Sequence, residues 1–577
     1  MRFQKALFMS NFGIDMGLPE FRVGSYATYL LPFSKVFEKA TGGECKFLLG
    51  SHTLDLLNRK SKITEINAKN SFVVKGKEHA SLFGLGDDFL LESYHDSFGD
   101  KEEQYVKYFK KLFGDWQPDV IFCWEFPTTL FRKIFPKALV LDIMPGAYMR
   151  PPYPKTISVD PVGLYASSFL KNYDESQDFK ALDDTNEFLK IRDLYSHYFN
   201  HDTDVKDVIL DLVDPTRKFE KYWLVPMQIS GYFGFYENCK YKDQFEFLTD
   251  VLAKAPKNVG VIATQYIGNL VSEKTLNNRN LGYIRNLYPN FLYSTEFEKL
   301  DNISQYITPW ADSVITVSST LGFQALLHEK KLISPSTSHL SYIASDYGDN
   351  ARKQDEALIA SLFCRQNILV EKLLHDVDYF KSILVGLDER KSDSAIDVLS
   401  ALPRPANLYK DYLSYSPFSG ADNQIKKMGG IISSKKNSLR SLLDRIEKYD
   451  VISFDIFDTL LRRTVFKPED VFVLIQKKLE AEYKNLLPAV IVKRFPELRV
   501  GFERQLRKEY DQNHNTTDVY TEKNEEFYTL EVYQRMLAAF GLNESIAEQL
   551  LEIEQEVEFS VLEARSLGKA LYDVAIA

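Results

Sequence analysis

Short apolar runs alternate with amphipathic stretches through the first two thirds of the chain. "KALFMS", "CKFLLG", "DVIFCW" and "ALVLDI" come first, then "YWLVPMQ", "NVGVIATQY", "NFLYST" and "SVITVSS". Runs this short, rich in Val, Ile and Phe, predict buried strands. Between them "YKDQFEFLTDVLAKAP" and "TLGFQALLHEK" repeat apolar residues at helical spacing. Strand–helix alternation predicts α/β architecture with parallel sheets covered on both faces. One sheet would not absorb so many strands, so two Rossmann-like lobes are expected, residues 1–215 and 216–400, dividing near "DPTRKFEKYW".

The pattern then changes. "LPRPANLYKDYLSYSPFSGADNQ" is rich in turn formers, and residues 401–445 are expected to form a linker or wrapping segment. Lys426, Lys427, Lys435, Lys436 and Arg440 within it suit either a solvated linker or a weak contact with anionic lipid. A third unit, 446–577, opens on the strand-like "VISF" and is mostly helical afterwards, with Pro468, Glu469 and Asp470 at a helix start.

Composition narrows the class. In 577 residues, 45% hydrophobic and 26% charged is ordinary for a globular protein, so core-building capacity is ample. A net charge of −10 argues against nucleic acid as a partner. The 41 Phe and 33 Tyr suit large cores and equally suit carbohydrate handling. Cys45, Cys123, Cys239 and Cys364 lie too far apart for a zinc ribbon or a CxxC pair, and reduced thiols in a cytoplasmic protein are expected. The first apolar run is too short for a signal peptide, and no apolar stretch reaches membrane-spanning length.

In doubly wound sheets ligands bind beyond the carboxyl ends of strands. Three segments meet that description. In "LVLDIMPGAYMRPPYPKTISVDPVGLYASS", Asp142 ends a strand and a Pro/Gly-rich loop follows with Arg150, Asp160 and Gly163. Arg150 can fork onto a carboxylate or phosphate, or form a surface salt bridge. In "LVPMQISGYFGFYENC", Gln228 follows a strand, and Tyr232, Phe233, Phe235 and Tyr236 suit a sugar pocket or simple packing. In "SVITVSSTLGFQALLHEK", Ser318, Ser319, Thr320 and Gly322 stand between a strand and a helix, with Gln324 following and His339 ending the next strand. Hydroxyls there either cap the helix or hold an anion.

Together "MPGAYMRPPYPKTISVDPVGLYASSFL", "LVPMQ", "VSSTLGFQALL" and "SHL" resemble the β-Kdo glycosyltransferase module of bacterial O-antigen chain terminators, and more distantly the Kdo transferases of capsule assembly, across residues 1–400. The resemblance implies a GT-B-like pair of lobes, the first on the acceptor side and the second on the nucleotide-sugar side. It also implies a CMP-sugar donor in the cleft and no metal or other cofactor. Ser318, Ser319, Thr320 and Gly322 would hold the donor's anionic groups, with Arg150, Gln228, Gln324 and His339 also in the binding set. Retaining members carry an Asp nucleophile in the loop after "LVPMQ", and related capsule enzymes carry a His at "ATQY". Here the loop offers Gly231, Tyr232, Tyr236 and Glu237, with no Asp before Asp243. Glu237 is the first candidate for the catalytic carboxylate and Asp160 the second. Glu237 can equally be an exposed loop charge, and Asp160 a turn former ahead of Pro161.

"VISFDIFDTLL" resembles motif I of haloacid dehalogenase-like (HAD) hydrolases, with Asp455 as nucleophile and Thr459 oriented to the substrate anion. Phe457 stands where the phosphatases carry a general acid, and the later motifs, including the acidic pair that holds magnesium, do not follow. A partial HAD-like unit with a helical cap is expected, with magnesium only if the unit were complete.

The expected function is transfer of Kdo or a similar acidic sugar from a CMP donor to a lipid-linked bacterial surface polysaccharide, in the cytoplasm or peripherally at the inner membrane. Two alternatives stand beside it: a HAD-type hydrolase with glycan-binding lobes, and a non-catalytic glycan-binding scaffold.

Overall fold

The computed structural model describes residues 2–12, 23–83, 88–200, 204–230, 233–265, 274–277, 279–347, 355–418, 456, 460–465, 467–513 and 528–564. The chain separates into two compact units, the larger holding most of residues 1–432 and the smaller all of 433–577 with two short earlier segments.

The larger unit contains two sheets. Seven strands form the first: β1 (Lys5–Met9), β2 (Glu44–Gly50), β3 (Ser71–Val74), β4 (Val120–Trp124), β5 (Leu139–Pro145), β6 (Thr156–Asp160) and β12 (Asn367–Leu369), in the spatial order β12-β6-β5-β4-β1-β2-β3. Five strands form the second: β7 (Lys221–Met227), β8 (Val259–Gln265), β9 (Phe291–Leu292), β10 (Ser313–Ile315) and β11 (Lys331–Ile333), in the order β11-β10-β7-β8-β9. Strands β1 to β5 run parallel, as do all those of the second sheet. In each sheet the order therefore reverses beside its first strand, between β1 and β4 and between β7 and β10. These are the topological switch points of doubly wound folds.

The apolar runs form strands because both faces of each sheet are covered. Every residue of β4 is buried, and Phe8 stacks on Phe122 at 4.7 Å. Helix starts are chemically specified: Asp243 accepts from the Glu246 amide at 2.8 Å ahead of helix Gln244–Lys254, and Asp376 from the Tyr379 amide at 2.9 Å ahead of helix Val377–Asp388. Cys45, Cys123, Cys239 and Cys364 are all free thiols.

The lobe boundaries differ from the sequence expectation. Strand β12 pairs antiparallel with β6, so the chain returns to the first lobe after leaving the second, which occupies roughly residues 204–333. The returning segment is core. Phe380 stacks on Phe122 at 5.9 Å, and Leu402, Leu408 and Tyr412 are at most 1% exposed. Residues 401–418 are thus a packed wrap, with Tyr412 against Tyr148 and Tyr195 in the core of the first lobe. The basic stretch after them, Lys426 to Arg440, lies outside the described residues.

The seam of this return depends on Gly146. Asn367 Oδ1 accepts from the Ala147 amide at 2.7 Å, and Tyr412 OH accepts from Asn367 Nδ2 at 2.9 Å. A Cβ on Gly146 would collide with Asn367 Oδ1 and lie 2.5 Å from Thr156 Oγ1. Gly146→Ala is expected to destabilise the protein by about 1–3 kcal/mol, the usual cost of overpacking, readable as a lower urea midpoint.

In the smaller unit, helices Asp470–Glu482, Phe495–Asn513, Thr529–Ala539 and Ala547–Ser560 enclose Ile475, Leu479, Leu498, Met536, Leu550 and Ile553. Arg499, 3% exposed at its side chain, bonds Glu503 and Glu554 inside this bundle at 2.7 Å each. A short antiparallel pair joins β13 (Leu461–Arg463) to β14 (Leu562–Ala564). The HAD-like motif residues Asp455 and Thr459, and the strand expected before them, lie outside the described residues. No helix among the described residues is long and apolar enough to cross a membrane.

Candidate functional site

The carboxyl ends of the strands at both switch points open into one cavity of about 500 Å³. The first lobe supplies Glu125 after β4, Met144 and Pro145 from β5, and Arg150 and Tyr165 from the loops that follow. The second supplies Gln228 after β7, Thr264 and Gln265 from β8, the segment Glu298 to Gln305 that runs between two short helices, and the turn Ser318–Leu321. Gln324 and His339 also line it. Of the sequence candidates, Arg150, Gln228, Ser318, Ser319, Thr320, Gln324 and His339 therefore meet in one place.

Gln228 fixes the turn. Its Nε2 donates to Ser318 Oγ at 3.1 Å, its Oε1 accepts from the Ser318 amide at 3.2 Å, and Ser318 Oγ donates to the Gly234 carbonyl. Ser318 is thus a cross-link between β7 and β10. Ser319 Oγ accepts from the Leu321 amide at 3.3 Å, a local capping bond that leaves its O–H free to donate elsewhere. Thr320 makes no capping bond of its own at helix Leu321–Leu327. Gly322 is a packing residue: a Cβ there would lie 2.6 Å from Leu340 Cδ1 and 3.1 Å from Leu332 Cδ1.

Three buried side chains in the wall carry polar atoms without a protein partner: Gln305 Oε1, Gln324 Oε1 and His339 Nδ1. Their residues are 5%, 1% and 4% exposed. Gln324 is held by its Nε2, which donates to the Ala147 carbonyl at 3.0 Å. Burial pushes the His339 imidazole down to about 4, so it is neutral near pH 7. An unsatisfied buried polar atom costs about 1–3 kcal/mol, which a ligand bonded to it would relieve.

The cavity's charge is mostly acidic. Glu125, Glu298 and Asp301 line it, with Arg150 as the one cation among the described lining residues. Glu298 is held by Lys274 at 2.6 Å and Tyr293 OH at 2.8 Å, and Arg150 reaches across to Asn302 Oδ1. Gln265 is occupied by Leu276 and Tyr293.

The two proposed catalytic carboxylates sit elsewhere. Asp160 is 1% exposed and does not line the cavity. Its Oδ1 accepts from the amides of Val162 (2.8 Å) and Gly163 (3.1 Å), and its Oδ2 from Phe169 (3.1 Å), which makes it the anchor of its own loop. Burial pushes this carboxyl up to about 6 against the hydroxyl and amides that pull it down. Glu237 has a side chain only 2% exposed, against His95 Nε2 at 3.0 Å, and is also outside the cavity lining. Asp142 is likewise buried, on Arg132 at 2.7 Å and Thr128 Oγ1 at 3.0 Å. The Glu237 and Asp160 side chains are drawn inward because each has donors to satisfy there.

Glu125 is the residue that the sequence reading passed over. It directly follows the strand "DVIFCW", and its φ of +44° is in the left-handed region. Tyr165 and Asn302, also in the wall, share positive φ at +46° and +60°. Backbone of this kind collects at binding sites, held by the structure around it. The motif's only local signal was a carboxylate placed immediately beyond a buried strand. Among the described residues, no group of three or more His, Cys, Asp or Glu side chains is arranged to hold a metal ion.

No family model and no curated protein matches the chain. Among solved structures it is similar to the β-Kdo 2,7 transferase KpsC of Thermosulfurimonas dismutans, at 17% identity over 51% of this chain and 95% of that one, with a TM-score of 0.27. It is also similar to the calicheamicin glycosyltransferase CalG4 (13% identity, 78% and 98% covered, TM-score 0.24). A third is the UDP-GlcNAc 2-epimerase of Neisseria meningitidis bound to UDP-GlcNAc (11%, 69% and 98%, TM-score 0.26). At these TM-scores the likenesses carry no weight for the chemistry of this chain.

Proposed function

We propose that the chain is a glycosyltransferase that binds a nucleotide sugar in the cavity between its two lobes, the donor being a CMP-linked Kdo or similar acidic sugar and the acceptor a bacterial surface polysaccharide. The observation that supports this most is the cavity itself. It lies beyond the strand ends at both switch points, with Gln228, the Ser318–Thr320 turn and Arg150 gathered in its wall. Arg150 and the free hydrogen of Ser319 would face the anionic groups. The chemistry derives from the chain's own side chains, with no metal in the proposal.

The experiment is release of CMP from CMP-Kdo in the presence of bacterial polysaccharide fragments, read beside CMP binding by calorimetry. Ser319→Ala is expected to weaken CMP binding tenfold or more, because a hydrogen bond to a charged group contributes about 1.5–3 kcal/mol. An unchanged affinity in a folded variant would leave Ser319 as a cap alone.

One observation favours a second reading. With Glu298 paired to Lys274, Glu125 and Asp301 still stand against one arginine, a poor field for a doubly anionic donor that suits a neutral glycan bound without turnover. Tight binding of a neutral oligosaccharide with no CMP binding would select that reading.

A further inference from the structure

We infer that Glu125 is the group that removes the proton from the attacking acceptor hydroxyl, an inference that rests on the transferase reading above. Three independent features point to it. It is the first residue beyond β4, next to β1, at the switch point of the seven-stranded sheet. It lines the cavity from the first lobe, whereas Gln228 and the Ser318–Thr320 turn line it from the second. Its backbone is held at φ +44° by the amide's bond to the Ile143 carbonyl at 2.8 Å, which extends the β4–β5 ladder one residue and turns the chain over the cavity.

The other carboxylates near the cavity have different settings. Glu298 is neutralised by Lys274 and bonded to Tyr293. Asp301 is exposed, and Asp142, Asp160 and Glu237 are buried in bonds outside the lining. Tyr29 stacks on Trp124 at 4.1 Å, and its phenol is raised by burial first and by the Glu125 charge second, which keeps it neutral beside the carboxylate.

In the transfer step the acceptor O–H bond breaks and its proton passes to the Glu125 carboxylate. The acceptor oxygen forms a bond to the anomeric carbon. The bond from that carbon to its leaving group breaks, and the electron pair stays on the leaving oxygen. Glu125 is then a carboxylic acid that returns its proton to solvent.

The test uses the full chain, CMP-Kdo and polysaccharide fragments. Glu125→Gln is expected to lower kcat by 10²–10⁴-fold while leaving CMP affinity within twofold, and to remove the fall of kcat at acid pH that protonation of the carboxylate imposes on the unmodified protein. In Glu125→Ala, added formate is expected to restore part of the rate, which a purely structural residue would not allow. Should Glu125→Gln fold poorly, Glu125→Asp answers the same question, with reduced kcat and an acid limb retained. Full kcat in Glu125→Gln, a loss confined to CMP affinity, or no formate rescue in a folded Glu125→Ala would each overturn the inference while the transferase reading stands. Absence of CMP release by the unmodified protein would instead remove the transferase reading and this inference with it.

Discussion

Lowering the pH from 6.5 toward 4 is expected to destabilise the larger unit by several kcal/mol, through two buried histidines. His328 is pushed down to about 3, by burial first and by Lys330 and Arg192 second, and His339 to about 4 by burial. Both are neutral in the folded protein and bind a proton readily once unfolded, where the ordinary value is 6.5. Stability therefore falls as pH drops below 6.5, until each folded pKa is passed. Each tenfold in proton affinity is worth about 1.4 kcal/mol, so by pH 4 the two together remove on the order of 6 kcal/mol. Asp160 has the opposite sign. Its folded carboxyl titrates at about 6 against 3.8 unfolded, so the folded state takes up the proton first and recovers about 3 kcal/mol between those values. The net loss by pH 4, about 4 kcal/mol, approaches the lower end of the stability of an ordinary domain.

The measurement is a urea midpoint by tryptophan fluorescence at pH 7, 5.5 and 4.5. All four tryptophans, Trp116, Trp124, Trp223 and Trp310, belong to the larger unit, so the helical bundle does not contribute to the signal. His328→Gln keeps an acceptor for Tyr153 OH, which lies 2.7 Å from His328 Nε2, and should flatten the slope. A slope equal to that of the unmodified protein would show that His328 does not carry the acid sensitivity.

Arg132→Met should cost about 3–5 kcal/mol, nearer the lower figure because the guanidinium is 29% exposed. The loss comes from Asp142, whose side chain is 1% exposed and whose Oδ1 has no partner even with the arginine present. Burial raises its carboxyl, and Arg132 then pulls it down. Arg132 also donates to the Pro161 carbonyl at 2.8 Å, tying the loop beyond β6 to helix Thr129–Ile134. Adding Asp142→Asn removes the stranded charge and should recover part of the loss. A single-variant cost below about 1 kcal/mol would mean that the pair contributes no more than a surface ion pair.

These residues show what the sequence made legible. The strands carrying strong apolar runs were readable, since burial on both faces demands continuous Val, Ile, Leu and Phe. β3 ("SFVV") and β12 ("NIL") were not, because three or four apolar residues are too few to separate from a loop or helix end. That Gln228, Ser318 and Ser319 meet at one cavity was legible, as residues just past strands. The carboxylates were not. Asp160 and Glu237 share the composition of site residues, and only three-dimensional donors, the loop amides and His95, show them occupied. Gln305 and Asn302 come from a segment with no motif, brought to the cavity by β9 and the chain after it.

The return of the chain through β12 also governs how the protein can be made. The second lobe is a continuous insertion within the first, so a ribosome completes it while the first lobe still lacks an edge strand and the Phe380–Tyr412 face of its core. At the usual 5–20 residues per second, the stretch from Asp160 to Leu369 takes on the order of 10–40 s to synthesise. Throughout that interval β6 presents an unpaired edge beside an uncovered apolar face, the arrangement that recruits chaperones or aggregates. Production of the first lobe alone as residues 1–215 should accordingly yield insoluble protein, and supplying residues 355–418 on a second, co-expressed chain should rescue it.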